Sequence, residues 1–489
     1  MLKVENLTFT YPGRGEPTLR DVTLKVSRGE FVLVTGPTGC GKSTLLKTIN
    51  GLIPHESGGR LKGKVVVDGK DTQKSSLSEI TQRVGLVFQS PDDQIFSSMV
   101  EDEVAFGPEN LCLSREVIEE RIRESLDLVG LAGFRERATS TLSGGEKQRL
   151  AIASVLAMSP QVLALDEPLS QLDPKGSQEV LKVLTELNKK GITIILVEHR
   201  IPLVFPLITR IAVLDKGRIV LDEEKGRVTK HLALFQKLGL ESPCEPTFSL
   251  NSNFLTGKVF KKPESKVVLK AKDVYFRYEK GGAYALKGIS LEIKEGEMVA
   301  ILGNNGSGKS TLLLHLAGIL HPEKGKLEIL GKNSNNINPL SLAGKVGMVF
   351  QNPDLLLFNP TVQREIEFGP RALNFTKERL NEAVSKTMDA LTINDLSEEV
   401  PHALSRGQRL RVAVASVVSL MPRVLLLDEP TSGQDRRNIL SLMEYLKIMK
   451  RKGITTLFVT HDVRCALNFA DRILVMNGGK IIREGAPKK

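Results

Sequence analysis

Long apolar runs are missing from this sequence. The longest stretch without a charged residue, Leu150 to Leu165, has sixteen residues and is interrupted by Pro160. Crossing a bilayer takes about 20 consecutive apolar residues, and the N-terminus lacks the apolar core of a signal peptide. We therefore expect a chain that does not span a membrane by itself.

Cysteine is scarce, and no C-x-x-C pair is present. The four cysteines lie far apart in the sequence and are Cys40, Cys112, Cys244 and Cys465. This spacing predicts reduced cytosolic thiols and excludes a disulfide framework or a cysteine-based zinc site.

A strongly charged tail is also missing. The net charge is +11, but 57 acidic residues are interspersed among 68 basic ones. This pattern favours an ordinary solvated surface over a footprint for nucleic acid, so no nucleic-acid partner is expected. A length of 489 residues is too long for one hydrophobic core and predicts two or more domains.

A glycine-rich loop follows the apolar run Phe31 to Val34 and precedes Leu45-Leu46. In the pattern G-x-x-x-x-G-K-[ST], backbone N–H groups surround a phosphate, the lysine adds a point charge and the hydroxyl suits Mg²⁺. The strand before the loop and the helix after it favour a phosphate site over an ordinary glycine turn. The loop consists of Gly36, Pro37, Thr38, Gly39, Cys40, Gly41, Lys42, Ser43 and Thr44.

The chain is a duplication of about 220 residues, because the loop and the motifs around it recur. Lys309 lies 267 positions after Lys42, and His461 lies 262 positions after His199. We assign a first domain to residues 1–235, a linker to 236–265 and a second domain to 266–489, with a docked interface segment as the alternative for the linker. The second loop consists of Gly303, Asn304, Asn305, Gly306, Ser307, Gly308, Lys309, Ser310 and Thr311.

Each half alternates helical and buried-strand patterns, which indicates an α/β fold. Amphipathic runs at Arg115 to Val129 and Lys377 to Leu391 predict helices. Short apolar runs predict buried parallel strands, and they are Val162 to Leu165, Ile192 to Val197, Val424 to Leu427 and Ile454 to Val459.

Two adjacent acids end one buried strand in each half. Asp166 and Asp428 are predicted to hold Mg²⁺, and Glu167 and Glu429 to activate the water that attacks a nucleotide phosphate. The alternative is that each pair only caps the next element. A pair of carboxylates after an apolar strand is costly unless a cation or a proton relay uses it.

The order of these motifs resembles that of ATP-binding-cassette ATPases. The first half carries LSGGE from Leu142, LALDEP ending at Pro168, SQLD from Ser170 and the VEH sequence ending at His199. The second half repeats them as LSRGQ, LLLDEP, SGQD and VTH. The resemblance implies two tandem P-loop NTPase domains, each with a RecA-like core, a β-rich subdomain and a helical subdomain, that bind ATP and Mg²⁺.

The resemblance also implies two nucleotide sites, each completed by the other half. Tyr11 and Tyr278 would stack on adenine, Gln89 and Gln351 would approach the metal and the attacking water, and the histidines would contact the γ-phosphate. The first site would contain Lys42, Ser43, Thr44, Gln89, Asp166, Glu167 and His199, closed by Ser405 and Gly407. The second would contain Lys309, Ser310, Thr311, Gln351, Asp428, Glu429 and His461, closed by Ser143 and Gly145.

One residue departs from the family's pattern. Arg406 stands where the signature normally has its first glycine. The bulky cation either disturbs closure of the site built on Lys42 or supplies charge to the phosphate. Since both sites keep their lysine, glutamate and histidine, we expect both to hydrolyse ATP at unequal rates.

The segment after each glutamine resembles the energy-coupling-factor subfamily, which powers uptake of vitamins and transition-metal ions. Its pattern is Q-x-P-D-x-Q-[IL]-F with a downstream E-[VI]-x-F-G-P, and the second copy has Leu356 where Gln94 stands. Phe96 and Phe358 belong either to a groove for a membrane subunit's coupling helix or to ordinary core packing.

This resemblance implies partners and a location. The partners would be a transmembrane coupling protein and a membrane substrate-binding protein, and the chain would lie at the cytoplasmic face of the cell membrane. The alternatives are the fused ATPase of a sugar importer and a soluble twin-cassette protein that acts away from membranes.

Overall fold

The structure is a computed structural model that describes residues 1–245, 254–256 and 265–488. Its chain divides into two compact units. Unit 1 comprises Met1–Thr247 and Asp435–Arg437, and unit 2 comprises Phe248–Gln434 and Asn438–Lys489.

Within residues 1–245 and 435–437, unit 1 contains ten strands, nine α-helices and several short 3₁₀ turns. The strands are β1 Leu2–Thr10, β2 Leu19–Val26, β3 Phe31–Thr35, β4 Arg60–Val67, β5 Lys70–Asp71, β6 Val84–Val87, β7 Val162–Asp166, β8 Thr193–Val197, β9 Arg210–Asp215 and β10 Arg218–Glu224. The helices are α1 Lys42–Ile49, α2 Leu52–His55, α3 Leu77–Thr81, α4 Val100–Asn110, α5 Arg115–Leu128, α6 Gly144–Leu156, α7 Pro174–Lys189, α8 Ile201–Val204 and α9 Leu232–Leu238. The 3₁₀ turns are Pro91–Asp93, Ala132–Phe134, Thr139–Thr141 and Lys225–His231.

The strands of unit 1 form two sheets. A four-stranded antiparallel sheet has the order β2-β1-β4-β5, and a six-stranded sheet has the order β10-β9-β3-β8-β7-β6. In the larger sheet β9, β3, β8, β7 and β6 run parallel, and β10 adds an antiparallel edge. The loop that follows β3 therefore leaves the sheet between two parallel neighbours, where α/β folds bind ligands.

Strand β3 is buried on both faces. Phe31 and Leu33 pack with the helices of one core cluster, while Val32 and Val34 pack with α1 and the antiparallel sheet in another. Since side chains alternate along a strand, one five-residue strand joins both layers of the unit. This packing explains why its sequence is continuously apolar.

The described part of unit 2 contains eleven strands, six α-helices and its own 3₁₀ turns. The strands are β11 Leu255–Thr256, β12 Val267–Phe276, β13 Leu286–Lys294, β14 Met298–Gly303, β15 Lys324–Ile329, β16 Lys332–Asn333, β17 Val346–Val349, β18 Val424–Asp428, β19 Thr455–Val459, β20 Arg472–Asn477 and β21 Lys480–Pro487. The helices are α10 Lys309–Leu316, α11 Val362–Ala372, α12 Lys377–Leu391, α13 Arg406–Val418, α14 Arg436–Arg451 and α15 Val463–Phe469. The 3₁₀ turns are Ser334–Asn336, Pro339–Leu342, Pro353–Leu355, Asn394–Leu396 and Pro401–Ala403.

The sheets of unit 2 repeat the order found in unit 1. The antiparallel sheet has the order β13-β12-β15-β16, and the mainly parallel sheet has the order β11-β21-β20-β14-β19-β18-β17. The predicted α/β fold, the four predicted buried strands and the two predicted amphipathic helices are confirmed. The duplication seen in the sequence is thus a duplication of topology.

The predicted linker is partly structured. Helix α9 continues to Leu238, three residues beyond the boundary expected at 235, because Phe235 is buried in the core of unit 1. Leu255 and Thr256 pair antiparallel with Pro487 and Ala486 at the edge of the sheet of unit 2. The rest of the predicted linker at 246–253 and 257–264 lies outside the described residues.

Across the described residues, no helix combines the length and apolar character that crossing a bilayer requires.

Candidate functional site

The glycine-rich loop of unit 1 leads from β3 into α1. Gly41 has a φ of 106°, and a Cβ there would lie 3.0 Å from the backbone oxygen of Thr18. Glycine is therefore required by both conformation and space. Lys42 is buried at the start of α1, and its Nζ donates hydrogen bonds to the carbonyl oxygens of Gly36 at 3.0 Å and Pro37 at 3.1 Å.

The loop of unit 2 has the same geometry. Gly308 has a φ of 95°, and a Cβ there would lie 2.6 Å from the backbone oxygen of Ala285. Lys309 Nζ donates to the carbonyl oxygens of Gly303 and Asn304, at 2.9 Å in both cases. In each unit the ammonium group is held over the loop, where the N-terminus of the following helix also favours an anion.

The two predicted adenine-stacking tyrosines lie beside these loops. The Tyr11 hydroxyl is 3.2 Å from Thr44 Oγ1, and the Tyr278 hydroxyl is 3.1 Å from Thr311 Oγ1. Each threonine is the third residue of the helix that follows its loop. Tyr278 is 64% exposed, and its ring packs edge-on with that of Phe276.

The acidic pairs lie at the ends of β7 and β18, and one strand, β8 or β19, separates each of these strands from the strand that carries the loop. Glu167 and Glu429 follow these strands with φ values of 47° and 52°. A non-glycine residue in this left-handed region is uncommon, and such strain gathers at functional sites. The backbone N–H of Glu167 donates to Val197 of β8, which connects the turn to the next parallel strand.

Two predicted catalytic residues contact the Glu167 carboxylate. Gln89 Nε2 donates to Glu167 Oε2 at 2.7 Å, and His199 Nε2 lies 2.9 Å from Glu167 Oε1. These three side chains come from residues 78 and 32 positions apart along the chain, and the sheet order brings them together. A carboxylate held in this way is oriented for proton abstraction from a bound water.

Unit 2 repeats one of these contacts. His461 Nε2 lies 2.9 Å from Glu429 Oε1, which matches the pair in unit 1. Gln351, by contrast, is exposed, whereas Gln89 is half-buried against its glutamate. The two candidate sites therefore differ in whether the glutamine contacts the glutamate.

Each aspartate before the glutamate carries a buried oxygen suited to a cation. Asp166 Oδ1 and Asp428 Oδ1 have no hydrogen-bond partner within the described part of the chain. Burial, with the adjacent Glu167 charge, raises the pKa of Asp166 to about 6, and the Ser43 hydroxyl opposes the shift. Burial likewise raises the pKa of Asp428 to about 6, against the hydrogen bond from Ser310.

These donors fit Mg²⁺. One carboxylate and one hydroxyl in each unit suit an ion that usually binds through one or two carboxylates, waters and substrate phosphates. A preformed protein cage is not seen, since no group of three or more His, Cys, Asp and Glu side chains in the described ranges can hold a metal ion.

Comparison with known proteins agrees with this geometry. A family model described as "ABC transporter" matches residues 19–170 and 286–432, which together exceed half of the chain. This chain belongs to the ABC transporter family. It is an ABC transporter ATP-binding protein with two cassettes, and its family binds and hydrolyses ATP.

Similar proteins share nearly the whole length. A protein of Methanosarcina mazei, provisionally named an ABC transporter ATP-binding protein, is 47% identical over 99% of this chain and 89% of its own. A protein of Caldanaerobacter subterraneus with the same provisional description is 39% identical over 98% of this chain and 90% of its own. The solved structure of cbiO1 from Clostridium perfringens, part of the ABC transporter complex cbiONQ, is 36% identical, covers 46% of this chain and 90% of its own, and has a TM-score of 0.43.

The signature serine of each ABC cassette begins a helix. The backbone N–H of Ser143 donates to Glu146 Oε2 at 2.7 Å, and the Ser143 hydroxyl accepts from the Glu146 N–H at 3.4 Å. Ser405 and Gln408 form the corresponding capping box in unit 2. This reciprocal pairing, absent from our interpretation of the sequence, follows the S-x-x-[EQ] capping pattern.

The glycines of the signature differ in how closely they are packed. A Cβ at Gly407 would lie 2.7 Å from Gln434 Oε1, whereas a Cβ at Gly144 would meet no atom within 4 Å. Gly144 is the counterpart of Arg406. The backbone at this position therefore accommodates a side chain, and Arg406 changes the chemistry of the surface rather than the fold. That Ser143, Gly145, Ser405 and Gly407 complete nucleotide sites remains a prediction.

The segment after Gln89 is held by a buried glutamate that sequence reasoning missed. Glu103 is 3% exposed, and its Oε2 accepts from the N–H groups of Phe96 at 3.1 Å and Ser97 at 2.9 Å. Glu365 accepts from the N–H groups of Phe358 and Asn359, each at 2.8 Å. The first glutamate of the E-[VI]-x-F-G-P pattern was the available signal, because a buried carboxylate must find donors.

Core packing of Phe96 and Phe358 is the wrong alternative. Their side chains are 64% and 63% exposed, and each packs edge-on against a second exposed phenylalanine of its own unit.

Proposed function

We propose that this ABC protein is the ATP-binding subunit of an importer of the energy-coupling factor type. It would hydrolyse ATP to energise uptake of a vitamin or a metal ion through separate membrane subunits. These partners would be a transmembrane coupling protein and a membrane substrate-binding protein. The chain would lie peripherally at the cytoplasmic face of the cell membrane.

The observation that carries this proposal is the short connection between the hydrolytic glutamate and an exposed aromatic pair. Gln89 contacts Glu167, and Phe96 follows Gln89 by seven residues. Between them lies the 3₁₀ turn Pro91–Asp93, and Gln94 Oε1 accepts from the N–H of Phe88. A partner bound at the aromatic pair is thus connected to the glutamate through a braced segment.

The exposed pairs have the character of docking sites. The Phe96 and Phe106 rings lie 4.5 Å apart, and the Phe358 and Phe368 rings lie 4.8 Å apart. Aromatic residues are enriched at protein interfaces, and four large rings left half-exposed on one chain are costly in water. Burial by membrane subunits would remove that cost.

We assign the chemical step to residues already placed in each unit. Glu167 and Glu429 would accept a proton from the attacking water, and His199 and His461 would orient these glutamates and the γ-phosphate. Lys42 and Lys309 would bind the outer phosphates. Mg²⁺, when held by Ser43 with Asp166 or by Ser310 with Asp428, would offset phosphate charge, with Gln89 and Gln351 approaching the metal.

Two other functions compete. The fused ATPase of a sugar importer resembles this chain in length, but such proteins do not share the Pro-Asp-x-Gln segment. A twin-cassette protein that acts away from membranes would have no use for the exposed rings beside the Gln89 segment.

Recovery of membrane subunits tests the proposal. The full chain carrying an affinity tag is purified from detergent-solubilised membranes, and co-purifying integral proteins are identified by mass spectrometry. The double variant Phe96→Ala with Phe106→Ala, and the corresponding variant of Phe358 and Phe368, are expected to reduce recovery at least about tenfold, as for loss of interface anchors.

Matched controls remove exposed apolar side chains elsewhere. Val220→Ala in unit 1 and Ile482→Ala in unit 2 alter side chains that are 44% and 53% exposed, and they should leave recovery unchanged. Recovery of soluble partners without any integral protein, or recovery that is indifferent to all four phenylalanines, would overturn the transport function.

A further inference from the structure

The two exposed aromatic pairs have the same arrangement, since each consists of two phenylalanine rings packed edge-on. We call Phe96 and Phe106 with the charged residues around them the first patch, and Phe358 and Phe368 with theirs the second patch. The interplanar angles are 78° and 88°, and the second phenylalanine of each pair lies on the helix that follows, α4 or α11. The phenylalanine pairs by themselves would bind the same apolar side chains.

The charges around the first patch are acidic. Asp102 precedes Phe106 by four residues on α4, and Glu109 follows it by three. Residues at these spacings share one face of a helix. Asp93 ends the 3₁₀ turn three residues before Phe96. All three carboxylates are on exposed residues, so the first patch presents negative charge to solvent.

The corresponding positions of the second patch carry the opposite charge. At the offset of 262 residues, Asp102 is replaced by Arg364 and Glu109 by Arg371. Both arginines are exposed and lie on the same face of α11 as Phe368. Asp93 is replaced by Leu355, whose side chain is 69% exposed.

Pairing within each unit leaves this difference in place. Arg371 forms an ion pair at 2.6 Å with the buried Glu367, whose counterpart in unit 1 is Ala105, so part of its charge is offset. Arg364 also interacts with the charge of Glu367, but it is exposed and still presents positive charge at the patch. The neighbouring acids Asp92 and Asp354 are paired in both units, with Lys147 and Arg409 respectively. The difference in charge between the patches therefore comes mainly from Asp93, Asp102 and Glu109 in the first patch. Their counterparts in the second patch include Leu355 and Arg364.

We infer that the two patches bind two different helices of the membrane partner, a basic amphipathic helix at the first patch and an acidic one at the second. The inference deepens the proposed function and rests on it. Electrostatic complementarity steers association, and like charges brought together reject the wrong partner. Each unit would then accept only one of two coupling helices, so that the membrane partner binds in one orientation.

Synthetic peptides test the charge preference without the membrane subunits. Two fluorescent amphipathic helices share one leucine-rich face, and one carries lysine and the other glutamate beside that face. Their binding to the full chain is measured by fluorescence anisotropy at low and high salt. Phe106→Ala is expected to weaken binding of the lysine peptide at least about tenfold and to leave binding of the glutamate peptide unchanged. Phe368→Ala should have the opposite effects on the two peptides.

Exchange of one charge between the patches supplies the matched variants. Asp102→Arg should weaken binding of the lysine peptide about three- to tenfold, and Arg364→Asp should weaken binding of the glutamate peptide similarly. Both effects should be smaller at high salt. Both positions are exposed, so the variants are expected to fold, and circular dichroism with thermal melting checks this. Val220→Ala and Ile482→Ala serve again as controls.

The outcomes separate the inference from the proposed function. Three results would overturn the inference. Each phenylalanine variant could lose binding of both peptides equally, the charge variants could keep the same peptide preference, or neither peptide could bind. If membrane subunits still co-purify in a phenylalanine-dependent manner, the proposed function survives that result. If the peptides sort by charge but no membrane protein is recovered, the proposed function fails while the charge preference stands.

Discussion

Gln89 donates a 2.7 Å hydrogen bond to the carboxylate of Glu167, whereas its counterpart Gln351 is exposed. Two halves with the same topology and the same motifs therefore differ in the contact between glutamine and glutamate. The sequence places a glutamine at both positions, so the identity of the residue does not explain the difference.

The difference predicts unequal effects of removing the two glutamines. Gln89→Ala takes a donor from a buried carboxylate, which should cost about 1–3 kcal/mol. For a unit of this size, each kcal/mol lowers Tm by about 2–4 °C. Gln351→Ala, the matched control, should change the Tm of unit 2 by less than about 1 °C. Equal shifts, measured by differential scanning calorimetry without nucleotide, would show that the hydrogen bond does not matter for stability.

Substitution of the two glutamates tests which site performs hydrolysis. Glu167→Gln and Glu429→Gln each remove a general base without changing shape, and we expect a loss of about 10²-fold or more in turnover from an active site. The two variants should differ in residual ATPase activity in the reconstituted complex, because the sites are not equivalent. A variant with unchanged turnover would identify a site that is not catalytic.

The buried Glu103 should matter for stability as well as for the first patch. Glu103→Ala leaves the N–H groups of Phe96 and Ser97 without their acceptor, at a cost of about 2–4 kcal/mol. We expect a lower Tm of unit 1 in thermal melts and weaker binding at Phe96. Asp102→Ala, which changes an exposed carboxylate on the same helix, is the control for stability. If Asp102→Ala lowered the Tm as much, general helix loss would explain the result.

Unit 2 should lose stability in mild acid. His315 is buried on α10 and its Nδ1 contacts the Thr311 carbonyl oxygen at 2.7 Å. Burial lowers the pKa of His315 below its ordinary value of 6.5. Below that value the unfolded chain binds a proton that the folded unit resists, so the contribution of neutral His315 is present above it and is lost as the pH falls toward the folded pKa.

The matched variant is His315→Thr, since Thr48 occupies the corresponding position in unit 1. Between about pH 7.5 and about pH 5.5 the Tm of unit 2 should fall less steeply in the variant than in the wild type, although the variant is less stable overall. Parallel pH profiles of the two proteins would exclude His315 as the titrating group.

Much of the fold followed from local patterns. Short apolar runs such as Val162 to Leu165 form buried parallel strands because no polar face has to reach water. The glycine loops were predictable because Gly41 and Gly308 need a backbone conformation that other residues resist. The ends of elements were less predictable, and α9 extends past the expected boundary because Phe235 packs into the core.

The candidate site divides in the same way. Lysine, serine and the acidic pairs could be predicted as candidates because their chemistry requires them at fixed spacing. Glu103 and Glu365 were missed as partners of the segment before them, since a charged residue on an amphipathic helix gives no local sign that it points inward. The hydroxyl contacts of Tyr11 and Tyr278 likewise join residues 33 positions away.

The sequence by itself determined the duplication, the two phosphate loops and the alternation of helices and strands, because these depend on residues near one another in the chain. Tertiary structure alone decided that Gln89 contacts Glu167 and that the phenylalanine pairs face solvent. Burial and contact between distant residues depend on how the sheets and helices pack, and packing is a property of the whole folded unit.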